Sequence, residues 1–78
     1  MDIDNLVRMA NRIGEFYAGF PDADEAQAGI AGHLKSFWEP RMRREILAHV
    51  ERGGEGLSRI VREAIAAHRE ALLPGRTS

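Results

Sequence analysis

Apolar residues recur at three- and four-residue steps along almost the entire chain, interrupted only by a few prolines and glycines. That period lays them along one stripe of an α-helix, whereas a half-buried strand would need strict alternation. Ile3, Leu6, Val7, Ala10, Ile13, Phe16 and Tyr17 make the first stripe, so a helix is expected from about Asp4 to Tyr17. Asp2 or Asp4 can cap its start by accepting hydrogen bonds from the free N–H groups of the first turn. Phe20 and Pro21 end the run. Asp22-Ala23-Asp24-Glu25 has the spacing of a capping box, with Asp in the place usual for Ser or Thr. A second helix is expected to follow to about Trp38, with Ala26, Ile30, Leu34 and Phe37 on one face. Gly29 and Gly32 lie inside it, each weakening a helix by up to ~1 kcal/mol relative to Ala, and read as places where a neighbouring backbone comes close.

Glu39-Pro40 marks the next boundary, because a residue before proline avoids the α region and proline suits the first helical position. A third helix is expected from Pro40 to about Arg52, presenting Met42, Ile46, Leu47 and Val50. Gly53-Gly54 closes it, the first glycine being free to take the left-handed conformation of a C-terminal cap. A fourth is expected from about Leu57 to Leu72, with Leu57, Ile60, Val61, Ala64, Ile65 and Leu72 inward and Glu55, Arg59 and Glu63 one turn apart outside. The expected fold is all-α: a small bundle of about four short helices with tight turns, one domain over 1–73 and a flexible tail over 74–78. At 78 residues the core is thin, since so short a chain buries only ~60–65% of the surface it exposes when unfolded. Without a Cys it has no disulfide staple, thiolate metal site, iron–sulfur ligand or Cys nucleophile.

The residues give little purchase for chemistry. Gly56-Leu57-Ser58 begins like a nucleophile elbow but lacks the closing glycine and the strand before it. Gly53, Gly54 and Gly56 do not make a phosphate cradle, because no lysine follows them; the chain's single lysine is Lys35. His33, His49 and His68 all lie on or beside apolar stripes. Converging imidazoles can bind zinc, but no two of these stand four residues apart on one helix. Histidines hydrogen-bonded at a core edge or buried by a partner are the expectation, and no catalytic, cofactor or metal residue is assigned.

Charge is distributed unevenly. Up to Glu39, seven acids face three bases; from Pro40 on, eight Arg face five Glu, and the whole chain sums to −1. The densest basic cluster, Arg41, Arg43 and Arg44, is bracketed by Glu39 and Glu45. A nucleic-acid reader carries a more sustained basic face, so nucleic acid is not the expected partner. No apolar run approaches the ~18 residues of a membrane span. The opening Met1-Asp2-Ile3-Asp4 lacks the basic flank of a signal peptide, so a cytoplasmic location is expected. Trp and Arg are favoured anchors at protein interfaces, and a thin bundle with this many large apolar residues leaves some of them exposed. Phe37, Trp38, Pro40, Arg41, Met42 and Arg43 are the candidate partner-binding residues. The isolated chain is also open to self-association.

Leu6-Val7-Arg8-Met9-Ala10-Asn11, Ile13-Gly14, His33, Phe37-Trp38-Glu39-Pro40-Arg41-Met42-Arg43, Gly53-Gly54 and Gly56-Leu57 together resemble the delta subunit of soluble, NAD-dependent formate dehydrogenases. The 37–43 block is the specific part, and the resemblance runs through nearly the whole chain up to Leu73. It implies a non-catalytic accessory subunit whose partners are the large formate dehydrogenase subunits. Those subunits carry a molybdenum or tungsten pterin cofactor, iron–sulfur clusters and FMN. The small chain would support assembly or stability of the complex, with a transient maturation factor for the apoenzyme as the alternative, and a small helical nucleic-acid-binding module a more distant one.

Overall fold

The first three helices begin where the sequence supplies a cap or a proline. The computed structural model describes residues 2–74, and among them five helices follow one another: α1 (Ile3–Tyr17), α2 (Ala23–Phe37), α3 (Pro40–Glu51), α4 (Arg59–Ala67) and α5 (Arg69–Leu72). Asp2 and Asp22 cap α1 and α2 with side-chain oxygens that accept from the N–H of Asp4 and Asp24. Pro40 opens α3, as expected. The end of α3 is a Schellman cap: Gly54 N–H donates to the His49 carbonyl at 2.9 Å and Gly53 N–H to that of Val50 at 3.0 Å. Both glycines have positive φ, +116° and +66°, where a Cβ would be strained.

The fourth helix of the sequence reading is shorter and broken. Leu57 is buried but lies in the connection, Ser58 stands at the N-cap position of α4 without a side-chain capping hydrogen bond, and the helix stops at Ala67. His68 sits at φ −112° and ψ 27° between α4 and α5. Arg69 then donates through Nε to Glu51 Oε2 at 3.0 Å, tying α5 to α3. Of the tail expected over 74–78, residues 75–78 lie outside the described residues, and Pro74 is half-buried.

All five helices feed one core of Leu6, Ala10, Ile30, Leu34, Trp38, Ile46, Leu47, Leu57, Val61, Ala64, Ile65 and Leu72. The central element is α4, which packs on all four other helices and most extensively on α2, while α2 and α3 each pack on α1, α4 and α5. Two contacts let helices approach closely. A Cβ on Gly14 would come within 2.5 Å of Val61 Cγ2, and one on Gly29 within 2.3 Å of the Tyr17 ring. At Gly29 the close neighbour is the Tyr17 ring rather than the backbone the sequence suggested, and Gly32 faces open space.

Candidate protein-docking surface

The short connection after α1 brings α2 back to pack beside it, with the Tyr17 ring against Gly29. Along α1, Arg8, Arg12, Phe16 and Phe20 follow at four-residue steps, the last just past the helix; along α2, Glu25, Gly29, His33 and Phe37 do the same. Such rows form neighbouring ridges on a helix surface. Between the ridges lies a cleft of about 270 Å³ lined by Ile13, Phe16, Tyr17 and His33.

Aromatic rings surround it. Phe16 meets Tyr17 edge-on at 5.0 Å between centroids, and Tyr17 meets Phe20 at 5.0 Å. Phe37 leans on the His33 imidazole at 4.8 Å. These rings remain in water: Phe16 is 69% exposed, Phe37 74% and Phe20 36%. Isolated surface Phe residues are ordinary, but three on one face around an apolar cleft form the kind of patch that marks an association site.

The candidate block divides on contact with the fold. Phe37 projects as a surface anchor would. Trp38 does not: it is 5% exposed and belongs to the chain's own core. The cause is local, because Trp38 leaves the helix with φ −91° and ψ 129°, and this turn swings its ring inward. Pro40 and Arg41 are exposed, and Met42 is half-buried against the core. Arg43 is half-buried, with its Nε shielded from solvent and without a hydrogen-bond partner among the described residues. Leaving a donor in that state costs about 1–3 kcal/mol. The candidate residues span the end of α2 and the start of α3, whereas the exposed phenylalanines stand on α1, just past it and on α2; α3 sends Ile46 and Leu47 into the core.

Sequence reasoning missed Phe16 and Phe20 as surface residues. The signal was available in the helical angle: Phe16 lies about 120° around the helix from Ala10, at the margin of the stripe. The histidines behave as edge residues. His49 Nε2 donates to the Glu55 carbonyl at 2.7 Å, His33 meets the Phe37 ring at a tilt of 40°, and His68 is half-buried at the α4–α5 break. No three His, Cys, Asp or Glu side chains come together as a metal site among the described residues. Nor is any described helix long and apolar enough to cross a membrane.

A further contact fixes the connection behind this face. Asn11 Nδ2 donates to the Gly56 carbonyl at 2.9 Å, and its Oδ1 accepts from Ser58 N–H at 2.9 Å. One amide therefore clamps the α3–α4 connection to α1.

A family model described as "NADH-dependant formate dehydrogenase delta subunit FdsD" matches residues 5–65. The chain belongs to this delta-subunit family. Neither a curated protein nor a solved structure matches it. The delta-subunit match takes in both ridges of the aromatic face, the 37–43 block, the Asn11 clamp and most of α4. It stops before α5.

Proposed function

We propose that this chain is a non-catalytic accessory subunit of an NAD-dependent formate dehydrogenase, supporting its assembly or stability by docking on the larger subunits. The observation that carries the reading is the aromatic face of α1 and α2, where Phe16 and Phe37 stand largely exposed beside an apolar cleft. Family membership supplies the complex. Docking through that face would continue onto the start of α3, where Arg41 is free to reach a carboxylate and a partner acceptor would satisfy Arg43 Nε. The molybdenum or tungsten pterin, iron–sulfur clusters and FMN are assigned to the larger subunits. A chain without a single Cys offers no thiolate for an iron–sulfur cluster, so its residues do not fit that group.

The test is to co-express the chain with the larger subunits, purify active enzyme through a tag on one of those subunits, and count chains. A stoichiometric small chain supports a resident subunit. A chain found only on cofactor-free enzyme identifies a visiting maturation factor, and one found on neither form overturns the proposal.

A further inference from the structure

A second cleft, of about 520 Å³, lies between α3 and α5 and shares no helix with the aromatic face. Arg44, Ala48 and Arg52 line its α3 side at four-residue steps, a spacing that keeps them neighbours on the helix surface. Ala48 is half-buried, and with Leu47 and Leu73 it gives the cleft an apolar floor between the two arginines. On the α5 side stands Arg69, whose Nε and Nη2 both donate to Glu51 Oε2. That ion pair occupies Glu51, while Arg44 and Arg52 are exposed and join no ion pair among the described residues. Glu45 lines the cleft too, but three arginines against two glutamates leave the lining at +1. The α5 side lies beyond residue 65, where the delta-subunit match ends, so family membership does not supply this cleft.

We infer that this cleft takes an extended acidic segment of a partner protein, with carboxylates four residues apart and an apolar side chain midway. Arg44 and Arg52 stand eight residues apart, about 12 Å along the helix. In an extended chain, residues i, i+2 and i+4 share a face, and the outer two lie about 13 Å apart. Laid along α3, such a segment sets one carboxylate on each arginine and its central side chain over Ala48, whose small size leaves the room. Each guanidinium fork can meet a carboxylate through two N–H groups at once. A nucleic acid is a poorer occupant, because a phosphate every ~3.4 Å along a strand would also fall on Glu45 and Glu51. This assignment stands apart from docking through the aromatic face, since the two clefts share no residue.

The probe is a fluorescent peptide of glycine and serine carrying two glutamates four residues apart with leucine midway. Its anisotropy is followed as the full chain is added to about 1 mM, the weak end of measurable affinity, at low ionic strength. Saturable binding is expected, weakened about tenfold or more in Arg44→Glu and in Arg52→Glu, which set like charges together. Arg12→Glu, the same change of charge on α1, and Phe16→Ala/Phe37→Ala should each stay within about twofold of wild type. A peptide with its glutamates adjacent has equal charge but should bind at least about threefold more weakly, as should one with serine for leucine. Circular dichroism of each variant confirms that these exposed positions leave the fold intact. No saturable binding, equal losses in Arg44→Glu and Arg12→Glu, or equal affinity for the two glutamate spacings would overturn the inference. A loss in Phe16→Ala/Phe37→Ala with none in Arg44→Glu would put the peptide on the aromatic face and overturn it as well. A chain that ignores the peptide yet is stoichiometric in the purified enzyme would overturn the acidic-segment assignment while leaving the accessory-subunit reading standing.

Discussion

Phe37 and Trp38 are neighbours in sequence and opposites in the fold, and their contrast gives the sharpest test of how this chain uses its aromatic residues. Trp38 is buried among the core residues, so Trp38→Ala should destabilise by about 3–5 kcal/mol, the usual range for emptying a large aromatic site. That is a large share of the stability of a domain this small. Phe37→Ala, at a side chain three-quarters in water, should move the melting midpoint within about ±0.5 kcal/mol. Thermal melts followed by circular dichroism distinguish the two, and equal losses would show that Trp38 is not a core residue. The periodicity alone reads this pair the other way round, because Phe37 continues the row of Ile30 and Leu34. The row fails where the helix ends. Pro40 keeps Glu39 out of the α region, the chain straightens at Trp38, and the inward direction passes to the next residue.

At the scale of the elements, two glycines that look alike in sequence are expected to respond with opposite signs. Gly14→Ala would drive a Cβ against the fully buried Val61 at 2.5 Å, where α1 crosses α4, and should destabilise by about 1–3 kcal/mol. Gly32→Ala meets open space in the middle of α2 and should stabilise by up to ~1 kcal/mol through helix propensity. Chemical denaturation of both variants checks the pair, and a destabilised Gly32→Ala would mean that its side of α2 is not free. Asn11→Ala should cost about 1–3 kcal/mol, because the Gly56 carbonyl and Ser58 N–H would both lose their partner. Hydrogen exchange at Ser58 should accelerate in that variant while the core of α2 stays protected. Helix starts were legible because Asp2, Asp22 and Pro40 are chemical signals at fixed positions. The break at His68 was not. Ile65 and Leu72, seven residues apart, fall on nearly the same face whether or not the helix is continuous, and neither proline nor glycine marks the interruption. Asn11 was equally hidden, since its partners lie more than forty residues away.

For the whole molecule, the question is whether apolar surface is left over because the core is incomplete or because the core is already full. The radius of gyration, 11.4 Å, matches the ~11.5 Å expected of a folded chain of this length. The core draws on all five helices and includes Trp38. The three exposed phenylalanines are therefore surplus to folding, and removing them should separate binding from stability. Phe16→Ala/Phe37→Ala should melt within about 1 kcal/mol of the parent, yet bind the larger subunits at least about 30-fold more weakly, a loss of ~2 kcal/mol typical of interface anchors. Arg41→Glu should act differently. As an exposed charge at the margin of the docking surface, it should lower the association rate at low salt and lose most of that effect near 0.5 M, where the screening length falls to roughly 4 Å. Titration of each variant against the larger subunits at two ionic strengths measures both. If the phenylalanine pair bound normally while Arg41→Glu abolished docking at every salt concentration, the contact would be centred on α3 rather than on the α1–α2 face.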